Sequence, residues 1–102
     1  MRFIMKIRMG DNANDRLKDP EFGHNMQKLL ADAKVEAAYF TTICGNRGCF
    51  AVVNLNDASE MPRVAEPFFF YLNAEIDWYP VMLPEDLAKA GPYIADAVKK
   101  WG

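Results

Sequence analysis

The sequence predicts an α+β fold built on one four-stranded antiparallel sheet, and three observations lead to this class. Four segments, at about 2–9, 35–44, 49–55 and 74–83, have the alternation or the β-branched and aromatic content of strands. Two segments with apolar residues at helical spacing separate them, in the order strand, helix, strand, strand, helix, strand. The chain has 102 residues, so residues 1–102 are expected to form a single domain around one core.

The first strand and the first helix are predicted from residues 2 to 34. Residues 2 to 9 alternate between an oily face and a face that carries Arg2, Lys6 and Arg8. Residues 10 to 18 are turn formers and charged residues. Asp19 and Pro20 suit an N-cap and the first helical position, which predicts a helix over about 20–34. Its apolar stripe consists of Phe22, Met26, Leu29, Leu30 and Ala33.

A β-hairpin is predicted around the stretch TTICGNRGCF, residues 41–50. A loop over 45–48 would place Cys44 opposite Cys49, as free thiols, a redox-sensitive disulfide or part of a metal site. A reducing cytoplasm favours free thiols, and zinc needs four ligands while the only histidine, His24, points away from its helix's apolar stripe. Further pairs would be Thr42 with Ala51 and Phe40 with Val53, and the opposite face would carry Tyr39, Thr41, Ile43, Phe50, Val52 and Asn54.

A second helix and a fourth strand follow the hairpin. Asn56 or Asp57 can cap the helix, in which Pro62 and Pro67 fit awkwardly and predict a kink or an early stop. The strand over 74–83 contains Pro80, which removes a donor from the sheet ladder and predicts an edge position or a bulge.

Two short helices are predicted at the end of the sequence. Pro84 begins one that Gly91 ends, and Pro92 begins another. The last helix has apolar residues at i, i+3, i+4 and i+7. This stripe, which is expected to dock on another surface, consists of Ile94, Ala97, Val98 and Trp101.

The element order is that of the ferredoxin-like βαββαβ motif, with an extra C-terminal helix. The first and third strands are expected in the middle of the sheet, and both main helices on one face. The opposite face is then uncovered. We expect a second copy of the chain to bury it, with two sheets closing face to face into a barrel.

The chain resembles the dimeric α/β-barrel superfamily in its length, in this element order, in the strand that ends in IDWYPVML and in the helical tail. The likeness is to small muconolactone isomerase-like members and to related uncharacterised bacterial domains. The resemblance implies a homodimer with a pocket in each subunit, between the sheet and the helices or within the barrel. Because the superfamily includes isomerases, cofactor-free monooxygenases, haem-handling proteins and members with no known activity, no single reaction is implied.

Composition argues against several other classes of function. A net charge of −2, with Lys and Arg scattered among Asp and Glu, lacks the basic footprint of a nucleic-acid-binding protein. The stretch MRFIMKIRMG is interrupted by charges, and no run approaches the ~18 residues of a membrane span, so we expect a cytoplasmic protein with no membrane partner. Phosphate-loop, hydrolase and dinucleotide motifs do not occur, and neither a cofactor nor a metal is expected.

A candidate site is expected on the face of the sheet away from the helices. The first and fourth strands are neighbours in the ferredoxin-like order, so Lys6 and Arg8 would stand beside Glu75 and Asp77. Arg8 would anchor a small anion or enolate, and Asp77 or Glu75 would act as a base. The candidate catalytic residues are Arg8, Tyr39, Asp77 and Tyr79, the tyrosines as orienting hydrogen-bond donors, and the candidate substrate-binding residues are Lys6, Thr41, Asn54 and Glu75.

Two main classes of function are compatible with such a face. One is a small-molecule enzyme, an isomerase or a cofactor-free monooxygenase that acts on an apolar or cyclic substrate. The alternative is a non-catalytic structural or ligand-binding homodimer, in which the charges only form ion pairs. A weaker third interpretation makes Cys44 and Cys49 a thiol redox switch.

Overall fold

Four antiparallel strands form one open sheet in the order β2-β3-β1-β4 in the computed structural model, which describes all 102 residues. The strands are β1 (Arg2–Arg8), β2 (Ala37–Ile43), β3 (Asn46–Asn54) and β4 (Glu75–Pro80). The helices are α1 (Ala13–Leu17), α2 (Phe22–Asp32), α3 (Met61–Leu72), α4 (Pro84–Lys89) and α5 (Gly91–Trp101), and a 3-10 turn (Ala58–Glu60) precedes α3. The predicted α+β class and the ferredoxin-like arrangement, with β1 and β3 central, are confirmed.

The core lies between one face of the sheet and the helices. Met5 and Ile7 of the central strand β1 have no exposed surface, and they share the core with Phe68 and Leu72 of α3. Each such side chain contributes ~1.5–3 kcal/mol by leaving water. The alternation of residues 2–9 therefore has the predicted orientation, with the oily face of β1 turned toward the core. No polar or charged residue is buried.

A well-formed cap begins the 3-10 turn that leads into α3. The Asp57 carboxylate accepts a hydrogen bond from the Ser59 N–H at 2.9 Å, and the Glu60 carboxylate accepts from the N–H groups of Asn56 and Asp57 at 2.6 and 3.1 Å. These backbone donors lower the pKa of both carboxyl groups. Of the two caps considered from the sequence, the structure uses Asp57.

The expected early stop in this helix is wrong. Helix α3 is continuous from Met61 to Leu72, with Pro62 in its first turn and Pro67 in its interior. An interior proline costs roughly 3 kcal/mol. Phe68 and Leu72 follow it and are completely buried. Their burial, at ~1.5–3 kcal/mol each, offsets that cost and carries the helix past the proline.

The hairpin register differs from the predicted one. Ile43 pairs with Asn46, so the turn consists of Cys44 and Gly45, whose φ angles are 49° and 77°. Positive φ at both central residues is the signature of a two-residue hairpin turn. Cys44 is therefore at the turn tip, and Cys49 lies opposite Phe40. The shift is an even number of residues, so each side chain stays on its predicted face.

Gly48 explains why this register is favoured. A Cβ atom at Gly48 would stand 2.6 Å from Ile43 Cδ1 and 2.7 Å from the Ile7 carbonyl oxygen, so the Ile43 side chain occupies the space that a larger residue would need. Ile43 is buried in this way at the end of an otherwise exposed strand.

Two predicted boundaries near the first helix also change. Residues 13–17, expected to be a turn, form the short helix α1, whose Ala13 is buried. Helix α2 starts at Phe22, so Asp19 and Pro20 precede it, and the Asp19 carboxylate accepts a hydrogen bond from the Glu21 N–H at 2.9 Å. The side chain therefore closes a turn that leads into the helix rather than capping it.

The two edges of the sheet are unlike. Strand β4 carries Glu75 and Asp77 and ends in Pro80, which confirms the edge position predicted from that proline. Strand β2, on the other edge, has the sequence AAYFTTI, with neither charge nor proline. Its Tyr39 and Phe40 are both largely exposed.

The segment after β4, residues 82–102, is named here the C-terminal arm. It contains α4 and α5 and not one buried residue, and the molecule measures 58 × 28 × 20 Å. The apolar stripe of α5, which was expected to dock, finds no docking surface within its own chain.

The crowding at Gly48 gives a first testable prediction. Gly48→Ala should lower the free energy of unfolding by ~1–3 kcal/mol, because the added methyl group cannot fit without displacing backbone. Urea unfolding at a fixed protein concentration measures this. Gly23→Ala is the matched control: nothing lies within 4 Å of its Cβ position in α2, so it should raise stability by up to ~1 kcal/mol. Equal effects of the two changes would contradict the packing described.

The cap of α3 gives a prediction about pH. Asp57 has a folded-state pKa below its unfolded value, so its contribution to stability is present above about pH 4 and is lost as pH falls through the folded pKa. The stability difference between wild type and Asp57→Ala should therefore shrink when the pH is lowered below about 4. Unfolding curves along a pH series measure it. Glu66→Ala, which removes an exposed acid of α3 outside the cap, is the control for the general effect of losing one negative charge.

Candidate functional site

The uncovered side of the sheet, named here the open face, carries every side chain predicted for the site. The strand register arranges it in rows. One row contains Thr41, Gly48, Arg8 and Glu75; the next contains Tyr39, Phe50, Lys6 and Asp77; the third contains Ala37, Val52, Ile4 and Tyr79; Asn54 pairs with Arg2 beyond them. Charges thus concentrate on β1 and β4 at one end, apolar side chains follow, and beyond them Arg2 pairs with Glu36 at 3.0 Å.

Four of the predicted residues come together at the charged end. Lys6 is the register partner of Asp77, and Arg8 that of Glu75, with Arg8 Nη1 3.9 Å from Glu75 Oε2. We name these four residues the charged cluster. A recess of about 130 Å³ opens among them, lined also by Ile43, Cys44 and Ile76. The cluster offers two cations and two carboxylates beside a space of small-anion size.

Arg8 is the least satisfied member of the cluster. Its Nε is buried and has no hydrogen-bond partner, while its contact with Glu75 is longer than a hydrogen bond. Its side chain is one-third exposed, whereas that of Glu75 is 80% exposed and held by little else. A guanidinium with unused donors is suited to a planar carboxylate or an enolate oxygen.

The other predicted residues are not brought to the cluster. Tyr39 and Thr41 lie on β2, three strand spacings or roughly 14 Å from β4. Tyr79 is in the row of Ile4, and Asn54 is further still along β3. Tyr39 and Tyr79 are 66% and 46% exposed. One chain therefore does not assemble the predicted catalytic set around a single point.

The two cysteines are free and have different surroundings. Cys44 is exposed at the turn and borders the recess, whereas Cys49 is fully buried in the core, where burial raises its pKa to about 11. The hairpin register removes the direct opposition on which the disulfide interpretation depended. His24 lies exposed on α2, and no group of three or more His, Cys, Asp or Glu side chains is placed to hold a metal ion.

A larger cavity that the sequence did not indicate lies among the helices. It measures about 480 Å³ and is a surface groove beside α2 and α3. Two of its polar side chains are engaged with Tyr71: Arg16 Nε donates to the Tyr71 carbonyl oxygen at 3.0 Å and its guanidinium lies 4.9 Å from the Tyr71 ring centre, and Asn25 Nδ2 donates to the Tyr71 hydroxyl at 3.2 Å. These contacts fasten α1 and α2 to α3. We favour the recess as the candidate site because Arg8, beside it, has a buried donor without a partner.

The thiols give a testable prediction. At about pH 8, iodoacetamide should modify Cys44 quickly and Cys49 slowly, because the latter is buried and little of it is thiolate. Mass spectrometry of timed samples measures the rates. In the Cys44→Ser variant the fast phase should vanish, and in Cys49→Ala it should remain. Fast labelling of both thiols, or a disulfide in the untreated protein, would contradict this assignment.

No helix of the structure combines the length and the apolar character needed to cross a membrane. A search among curated proteins finds no match to the chain. A protein-family model described as a domain of unknown function, DUF3303, matches residues 1–94, which is nearly the whole sequence. The chain is therefore a member of the DUF3303 family.

Proposed function

We propose that this protein acts as a homodimer that binds a small apolar or cyclic molecule with an anionic or enolate oxygen on the open face of its sheet. The observation that carries the proposal is Arg8, whose buried Nε lacks an acceptor and whose ion pair with Glu75 is loose. An oxygen from outside the chain would bind at the exposed part of the same guanidinium, where the Nη groups have donors that Glu75 does not engage. Ile43 and Ile76, which line the recess, provide apolar contact beside Arg8.

A second copy is needed because the recess of one chain is too small. Sites for drug-sized molecules span roughly 300–1,000 Å³, and the recess measures about 130 Å³. Cover from a second subunit, as in a dimeric α/β barrel, would enlarge the space and remove water from it. It would also bring a second set of tyrosines toward the charged cluster, which its own Tyr39 does not reach.

Within such a site, an isomerase is the reaction class that needs least from outside. Asp77 or Glu75 would remove a proton from carbon, Arg8 would stabilise the enolate, and the same carboxyl group would return the proton to a different carbon. No oxidant or reductant is consumed. A cofactor-free monooxygenase would use the same enolate with molecular oxygen as co-substrate. In the cytoplasm, where we place the protein, both thiols would stay reduced.

The alternative is a homodimer without catalysis, and one observation favours it. Lys6 faces Asp77 and Arg8 faces Glu75 in the strand register, so the cluster is already balanced in charge. Such pairs would keep a wet sheet face soluble without any ligand.

Benzoate, an aromatic ring with a carboxylate, is a suitable probe for the test. Its titration should shift the NMR signals of the Arg8 side chain and of the Ile43 and Ile76 amides, which border the recess. Arg8→Ala should weaken binding at least about tenfold, since a hydrogen bond to a charged group is worth ~1.5–3 kcal/mol. Arg47→Ala, whose guanidinium lies on the helix side and donates to Asn14, should change nothing.

Two results would decide against the proposal. Equal affinity of wild type and Arg8→Ala for benzoate would show that Arg8 is not the anchor. An absence of shifts on the open face, together with dimers that Arg8→Ala weakens, would favour the non-catalytic alternative.

A further inference from the structure

The C-terminal arm presents an apolar surface for which its own chain has no partner. Helix α5 is 11 residues long, and Ile94, Val98 and Trp101 lie on one side of it, with Trp101 87% exposed. Lys99 and Asp96 occupy the other side. A helix in water gains stability mainly by packing its apolar side on another surface, so this stripe needs a surface outside its own subunit.

The route of the chain carries α5 away from its own sheet. The Val81 N–H donates to the Arg2 carbonyl oxygen, so the chain leaves in line with β4. Pro80 and Pro84 bracket the link, and Leu83, which precedes the second proline, has extended backbone with ψ 162°. The radius of gyration is accordingly 17.2 Å, compared with about 13 Å for a compact chain of this length.

A second unpartnered apolar surface lies on the open face, next to the point where the C-terminal arm begins. The row of Ala37, Val52, Ile4 and Tyr79 crosses the open face at the end where β4 finishes. Phe50 and Tyr39 extend it by one row. The same chain thus carries both an apolar helix and an apolar sheet surface, and neither is covered.

The arm offers enough surface for a stable contact. Tyr93 and Trp101 are 80% and 87% exposed, and large aromatic side chains cover ~150–250 Å² each. Five further apolar side chains are exposed along it: Met82, Leu83, Leu87, Ile94 and Val98. Tyr93 lies beside Lys100 and off the stripe, so one arm buries only part of this surface. A two-fold arrangement would form the contact twice and bring the total toward the ~1,600 Å² of a standard interface.

We propose that two copies of this chain exchange their C-terminal arms, so that α5 of each subunit lies on the apolar rows of the other subunit's open face. The inference rests on the homodimer of the proposed function and names the part of the partner that covers the sheet. The charged cluster, at the far end of the face, stays free for a ligand. The site is then complete only when the partner's arm closes one side of it.

Sedimentation equilibrium of the full-length chain tests the role of the stripe. Ile94→Ala combined with Val98→Ala should raise the dimer dissociation constant at least about tenfold, as truncation of buried interface side chains does. Alanine is the best helix former, so α5 is not weakened by these changes. Lys99→Ala, on the polar side of α5, is the matched control and should leave the constant unchanged. Equal dimerisation of all three proteins would overturn the proposal.

Cross-linking tests the exchange itself. Unlabelled and nitrogen-15-labelled protein are mixed, re-equilibrated and treated with a lysine-reactive cross-linker of short spacer. Peptides that join Lys99 or Lys100 of one label to Lys6 of the other are expected, because Lys6 is the lysine of the open face. Links confined to one label would mean that the arm folds back on its own sheet. Links between labels that run to Lys28 would mean that it occupies the helical groove. Either result would overturn the proposal.

The cross-linking result and the benzoate titration test the two proposals separately. If benzoate fails to bind while the mixed-label links form, the arm exchange stands and the ligand proposal fails. If benzoate binds at Arg8 while the links stay within one label, the reverse holds.

Discussion

The strict alternation of side chains along β1 is the constraint on which the rest of this structure depends. Met5 and Ile7 have no exposed surface, and they belong to the cluster of 15 buried residues that forms the main core. Because β1 is central, its pleat fixes the pleat of both neighbours, β3 and β4, through the register. Helices α2 and α3 can cover only the oily face. The opposite face receives the cations of β1, not because a site needs them there but because no buried position in this core would accept them.

The separation of apolar and charged side chains on the two faces of β1 also accounts for the candidate site. Lys6 and Arg8 point away from the helices. Their register partners on the neighbouring strand β4 are Asp77 and Glu75. Cross-strand pairs of this kind contribute modestly to stability. Their chemical value depends on how dry their surroundings become, and hence on what covers the face. Fold, assembly and chemistry are therefore linked through one surface.

Much of this could be predicted from the sequence, and the failures share a cause. The faces of β1 and of the hairpin follow from period-2 alternation. The hairpin register differs from the predicted one by an even number of residues, so the side chains predicted for the open face do lie on it. The turn at Cys44 was missed because tertiary crowding of Ile43 on Gly48, and not turn chemistry alone, decides it. Likewise Pro62 and Pro67 were expected to cause a kink or an early stop in α3, yet burial of Phe68 and Leu72 continues the helix to Leu72. Convergence of Tyr39 with Asp77 could not be judged, because it depends on strand spacing across the sheet. Local sequence patterns predict which face of the sheet each side chain occupies. The distances between side chains on different strands follow only from the order of the strands in the folded sheet.

The uncharged edge strand β2 has a consequence for how this protein must be handled by the cell. Seven residues, AAYFTTI, present a row of free backbone donors and acceptors with no proline, lysine or bulge to discourage another strand. Such an edge is a template for amyloid-like growth, in which identical segments stack through main-chain hydrogen bonds. A chain whose β2 edge is uncovered is therefore prone to aggregate, and its concentration in that state limits how much of it can accumulate without aggregation.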